Sequence, residues 1–262
     1  MRMIAIDGTD LLLSRISFGT GSLHHQFRAS ARRRLLGAAL EAGVSHFDTA
    51  PYYGEGLAEH DLGRLSTNER NAMTVATKIG LYPAAAPVGS SARLWARRLL
   101  GKVSGRASGP RADFALAAAR ESFERSLRVL RRDRIDLLML HEPVIADVPS
   151  ESLLEWLHEM KVRGSLRAWG VAGVAERVEP FVATRSGLAQ VVQTRDSVAR
   201  REALFLSRYG RPLQITYGYF SSGCADIASA LSCNTTGTVI FSTRRLERVA
   251  QLAAVVRAGG LP

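Results

Sequence analysis

Cysteine is almost missing: Cys224 and Cys233 are the two in 262 residues. With no further partner and no metal-ligand spacing they exclude a disulfide framework and a structural zinc site, and both read as free thiols. Lysine is nearly as scarce, confined to Lys78, Lys102 and Lys161, so arginine carries almost all of the excess behind the net charge of +11. Those arginines scatter over many segments and accompany abundant alanine, a pairing that looks like codon bias in a GC-rich genome. They do not form the clustered footprint of a protein specific for nucleic acid, and the basic surface favours anionic small molecules. No apolar run reaches the roughly 20 residues of a membrane span. The start Met1-Arg-Met-Ile-Ala-Ile-Asp7 reaches a charge too soon for a secretory signal, so no membrane partner and a cytoplasmic location are expected. No Gly-x-Gly-x-x-Gly follows a strand-like run, which leaves an open dinucleotide-binding sheet without support.

What is present is regular. Hydrophobic residues make up 46% of the chain, enough for the core of one domain spanning 1–262. The stretch Ile4 to Leu13 reads as a hairpin turning at Asp7-Gly8. Eight strand-like runs follow: 14–19, 46–50, 73–79, 135–141, 166–171, 188–193, 213–217 and 237–241. Helical patterns alternate with them, near 32–42 with Ser30 as cap, 59–65, 113–130, 150–162 with Ser150 as cap, 175–184, 197–209, 225–231 and 246–257. This alternation, with hairpin residues in front, predicts an α/β fold of the closed (β/α)8 TIM-barrel class rather than a doubly wound sheet. The long third connection, 80–112, contains a helix pattern over 91–103 and leaves the strand that carries Lys78. It reads either as a lid over the site or as a disordered insert.

Three strand-like runs end in a polar residue: Asp48, Lys78 and His141, with Tyr53 just past the first. Each alone reads as a satisfied polar strand end. Four together are costly to bury unless they serve a site, and the carboxyl ends of barrel strands are where such chemistry sits.

The segments Phe47-Asp-Thr-Ala-Pro-Tyr-Tyr-Gly54, Thr77-Lys78 and Leu140-His141, in that order on strands two to four, resemble the aldo-keto reductase family. The resemblance extends from Ser14-Arg-Ile-Ser-Phe-Gly-Thr20 to Thr243-Arg-Arg-Leu-Glu-Arg248. It implies NADPH-dependent reduction of an aldehyde or ketone by hydride transfer, or the reverse, on a small carbonyl or alcohol substrate. By the same resemblance Tyr53 is the general acid, Lys78 lowers its pKa, Asp48 holds Lys78, and His141 orients the carbonyl. Tyr52 lies one residue off the motif and reads as pocket wall. Gly19, Thr20 and Asp48 join the implied cofactor set; Gln193 matches the amide at the nicotinamide carboxamide and Tyr217 the aromatic stacked on the ring. Gly218, Phe220 and Ser222 match the pyrophosphate loop, and Thr243, Arg244 and Arg248 the region of the adenosine 2'-phosphate. The arginine forks favour NADPH over NADH. No metal is implied, and a monomer is the default expectation.

The chain departs from the family pattern at two places in the cofactor site. Val171-Ala172-Gly173 stands where Ser-Asn is usual, and Gln251-Leu252 where Glu-Asn is frequent. Losing about two hydrogen bonds to the carboxamide weakens binding by ~1–3 kcal/mol. These departures motivate a second reading, a barrel using the same acid-base groups for a non-redox elimination or cyclisation. A third is a nucleotide-binding regulatory subunit, against which the intact Asp48, Tyr53, Lys78 and His141 argue.

Overall fold

The computed structural model describes residues 1–84, 90–103, 109–220 and 226–257. An antiparallel hairpin, β1 (Met3–Ala5) and β2 (Leu12–Ser14), precedes the first barrel strand, β3 (Ile16–Gly19). Then come β4 (His46–Asp48), β5 (Thr74–Ile79), a short pair β6 (Leu81–Tyr82) and β7 (Arg111–Ala112), β8 (Ile135–His141), β9 (Leu166–Gly173), β10 (Val191–Arg195), β11 (Ile215–Tyr217) and β12 (Thr238–Phe241). Strands β3, β4, β5, β8, β9, β10, β11 and β12 pair in that order, all parallel, and β12 pairs back onto β3 to close the barrel. The helices are α1 (Ala29–Glu41), α2 (Leu57–Gly63), α3 (Thr67–Asn71), α4 (Ser91–Val103), α5 (Leu116–Leu130), α6 (Ser150–Val162), α7 (Ala175–Ala183), α8 (Ile227–Cys233) and α9 (Leu246–Arg257). The expected (β/α)8 barrel with an amino-terminal hairpin is the observed fold.

Side chains alternate along a strand, so each barrel strand presents one parity to the lumen and the other to the helices. Leu137 and Met139 of β8 pack inside with Ala76, Ala168, Val191, Ile215 and Ile240. Leu138 and Leu140 instead face the helical layer with Phe47, Val75, Trp169, Val171 and Val192. Because both parities are buried, these strands read as continuous apolar runs. The lumen parity, carried to the carboxyl ends, falls on Gly19, Asp48, Lys78, His141, Gln193 and Tyr217.

The opposite end is stoppered. Ile6, Leu11 and Leu13 of the hairpin segment pack into the lumen cluster. Gln214 donates to the Asp7 carbonyl at 2.8 Å, Gln190 to that of Gly8 at 3.2 Å and Arg167 to that of Asp10 at 3.0 Å, tying the hairpin to the starts of three strands.

Several boundaries differ from the sequence expectation. Strand six begins at Val191, because Gly187–Ala189 form a 3-10 turn whose Leu188 and Ala189 are buried and so mimic strand residues. The segment after it is the 3-10 helix Glu202–Tyr209 rather than a helix from Ser197. Ser30 does not cap α1, whose first residue is Ala29; Arg32 instead fixes the chain before the helix by donating to the carbonyls of Gln26 and Phe27. Ser150 is the first residue of α6 rather than its cap.

Candidate active site

Asp48 ends β4 and Lys78 ends the lumen parity of β5, and pairing of His46 with Thr74 and Asp48 with Ala76 brings the two ends side by side. The Lys78 ammonium donates to Asp48 Oδ1 at 2.6 Å and to the Thr49 carbonyl at 2.8 Å. Both side chains are buried, so the pair persists because each charge meets the other. Burial pushes the Lys78 pKa down from its ordinary value, with Asp48 opposing the shift.

The strand ends at Asp48, and from Ala50-Pro51 the chain turns sharply. Tyr53 N–H donates to the Ala50 carbonyl at 3.0 Å, and Gly54, Glu55 and Gly56 all take left-handed backbone angles. This turn carries the Tyr53 ring over Lys78, whose Nζ lies 4.7 Å from the ring centroid. The His141 ring meets Tyr53 edge-on at 5.7 Å, and Tyr52 stands 6.5 Å from the same imidazole, although it is not among the residues lining the cavity. On balance the Tyr53 pKa is raised, so any lowering by Lys78 is outweighed. The ammonium is engaged by Asp48 and Thr49, and burial, then the charges of Asp48 and Glu142, raise the phenol well above its ordinary value. Burial, then the Lys78 charge, push His141 well below its ordinary value, so its imidazole is neutral at neutral pH. His46, behind the site and hydrogen-bonded to Thr74 at 2.8 Å, is pushed down to about 3 by the same two causes.

Tyr53, Lys78, Asp48 and His141 line one cavity of about 180 Å³ with Gly19, Glu142, Ala172, Gly173, Gln193 and Tyr217. Tyr217, Ile240 and Ser242 are shared with a larger groove of about 680 Å³, which continues along Gly218, Phe220, Thr243, Arg244, Arg245 and Arg248. Gly19 is required where cavity and groove meet, since a Cβ there would lie 2.3 Å from Ser242 Oγ and 2.7 Å from Ile240 Cγ2.

Most of the expected cofactor residues therefore line one continuous surface. Thr20 does not: it is fully buried and its hydroxyl donates to the Asp48 carbonyl at 2.9 Å, supporting the site from behind. Ser222 lies outside the described residues. Leu252 is fully buried in the core, whereas Gln251 faces an adjoining groove with Arg248. Residues not singled out from sequence are Glu142, Ser242, Arg245 and the segment Ser22, His25 and Gln26. Of these only Arg245 carried a sequence signal, as the middle of a basic run after strand eight. Among the described residues no cluster of three or more metal-ligating side chains forms, and no helix is long and apolar enough to cross a membrane.

Residues 15–192 match the family profile described as the aldo/keto reductase family. The chain belongs to the aldo/keto reductase family. Among curated aldo/keto reductase relatives, the D-threo-aldose 1-dehydrogenase of a Pseudomonas species is 29% identical over 185 residues, 63% of this chain and 51% of that one. The L-galactose dehydrogenase of Arabidopsis thaliana is 27% identical over 190 residues, 69% of this chain and 51% of the other. The chain thus spans about half the length of the curated relatives it matches. Among solved structures, the holo form of an aldo-keto reductase from Bacillus halodurans superposes with a TM-score of 0.77 at 20% identity, covering 98% of this chain and 91% of that one. One from Klebsiella pneumoniae in complex with NADPH gives 0.68 at 18% identity, over 98% and 90%. At these identities the superpositions speak for the fold.

Proposed function

We propose that this aldo/keto reductase is an NADPH-dependent oxidoreductase that interconverts an aldehyde or ketone and its alcohol, with Tyr53 as general acid. The observation that carries the reading is the placing of Tyr53 over the Lys78–Asp48 pair, edge-on to a neutral His141, in a cavity that opens onto an arginine-lined groove.

The groove fits the cofactor. Gln193 donates to Asp48 Oδ1 at 3.0 Å, and this bond fixes the amide so that its Oε1 is a buried acceptor with no partner. A carboxamide amine is a donor suited to it. Tyr217, beside Gln193, offers a ring at the junction of cavity and groove. Arg244, Arg245 and Arg248 supply guanidinium forks for a 2'-phosphate. A nicotinamide held there would supply the hydride for the carbonyl carbon. The protein's part is to place the carbonyl oxygen between His141 and Tyr53 and to give that oxygen the Tyr53 proton as negative charge builds on it. A phenol with a raised pKa keeps its proton until that oxygen becomes the stronger base. Lys78, under the ring, then stabilises the phenolate left behind.

The substrate is a small carbonyl or alcohol. Two of the relatives are named as sugar dehydrogenases, so aldoses and other polyhydroxylated compounds head the panel to be tried. NADPH oxidation followed at 340 nm over aldehydes, ketones and, in reverse, sugars tests the reading. Tyr53→Phe is expected to lower kcat/KM by at least ~100-fold while NADPH still quenches protein fluorescence. Full activity in that variant rules out Tyr53 as the acid, and failure of the wild-type chain to bind NADPH favours the non-redox acid-base reading.

A further inference from the structure

The cavity holds a carboxylate that the proposed chemistry leaves unused. Glu142 directly follows His141, and its N–H donates to the Ala172 carbonyl at 2.7 Å, carrying the β8–β9 ladder one residue beyond the strand. Its φ is 51°, a left-handed conformation uncommon for a residue with a side chain. At the far end of the side chain, Oε2 accepts from Val174 N–H at 3.3 Å, and Oε1 from the Tyr217 hydroxyl at 3.4 Å. A Cβ on Gly173 would stand 2.8 Å from Oε2. The carboxylate thus occupies space that any side chain at position 173 would claim, and the turn at Glu142 delivers it there.

Its neighbours identify what it faces. Gly173 ends β9, with Val174 just past it, and Tyr217 ends β11; these two strands flank β10 and its Gln193. Glu142 and Gln193 line the same cavity, and Gln193 Oε1 is a buried acceptor without a donor. Both of Glu142's contacts are long, so the carboxylate keeps acceptor capacity to spare. An unpartnered amide oxygen and an under-used carboxylate on one wall match the two N–H groups of a primary carboxamide.

We propose that Glu142 is a cofactor-positioning residue, its carboxylate accepting from the nicotinamide carboxamide in place of the side chains missing at Ala172 and Gly173. The proposal rests on the groove being a nicotinamide-cofactor site. It adds an electrostatic consequence: a carboxylate beside the ring favours the oxidised, positively charged nicotinamide over the reduced, neutral one.

The test is fluorescence titration of the wild-type, Glu142→Ala and Glu142→Gln chains with NADPH, NADP+ and adenosine 2',5'-bisphosphate, which lacks the nicotinamide. Glu142→Ala is expected to weaken NADPH about tenfold, as for the loss of one hydrogen bond to a charged group, and to leave the bisphosphate unchanged. Glu142→Gln, nearly the same shape without the charge, should weaken NADP+ more than NADPH. Unchanged dinucleotide affinity in both variants overturns the proposal. So does an equal loss for all three ligands, which marks a disturbed fold. A wild-type chain that binds none of the three overturns the cofactor reading itself, and this inference with it.

Discussion

At the scale of the residue, the site is governed by one buried ion pair and one phenol. Lys78 is held by Asp48 and Thr49, so it acts on Tyr53 through the ring face at 4.7 Å rather than through the hydroxyl. The phenol pKa lies well above its ordinary value, which keeps the acid form filled across the neutral range while the base form grows only as pH rises. Carbonyl reduction is therefore expected to be flat in pH through neutrality. The reverse alcohol oxidation should rise steadily in kcat/KM with no plateau below about pH 10, the ordinary value for tyrosine. Profiles measured in both directions check this, and a plateau in oxidation near pH 7 would contradict it. The residues proposed for proton transfer could be singled out in the sequence because each closes a strand-like run or follows its end. The opposite direction of the Tyr53 shift could not be, since it depends on burial and on Glu142, whose residue type next to His141 and Pro143 says nothing of where its carboxylate points.

At the scale of the element, the third βα connection shows how a helix comes to sit against the active-site turn. Strands β6 and β7 pair antiparallel at its base, and α4 is anchored at three points. Arg32 of α1, which is 2% exposed, pairs with Asp61 of α2 and donates to the Ser91 hydroxyl at 2.6 Å; Leu94 packs on Leu57; and Arg97 meets Glu55 at 2.9 Å. Glu55 lies two residues beyond Tyr53, so this docking bears on the proposed general acid. Arg32→Ala would leave Asp61 buried without its cation, at a cost of about 3–5 kcal/mol. A lower denaturant midpoint and faster amide exchange over 91–97 are the expected readouts; unchanged exchange there would separate α4 from the pair. The helix itself was legible from its pattern over 91–103, but its anchors were not, because Arg32 and Asp61 look from sequence like two more surface charges. The start of strand six was misplaced for a related reason: Leu188 and Ala189 are as buried in a 3-10 turn as they would be in a strand.

At the scale of the whole molecule, the barrel was legible because parallel strands buried on both faces leave apolar runs at regular spacing, and because its polar strand ends were few. Those same polar groups tie stability to pH. His46 and His141 are held neutral when folded, with pKa values below the ordinary one, whereas the unfolded chain protonates both below about pH 6.5. The unfolded state therefore binds more protons in acid, so stability is retained above that pH and lost as pH falls. For His46, with its folded value at about 3, the loss approaches ~5 kcal/mol at the bottom of the window. Denaturation midpoints should be level from pH 7 to 8 and decline towards pH 4, and His46→Gln should decline less steeply than the wild type.

The hairpin lodged under the strands carries one more consequence. Among the described residues Ile6, Leu11 and Leu13 fill the amino end of the lumen, and the candidate cavity meets the arginine-lined groove at the opposite end, the mouth. Because Tyr217, Ile240 and Ser242 line both spaces, an occupant of the groove would narrow the way into the cavity for a second ligand.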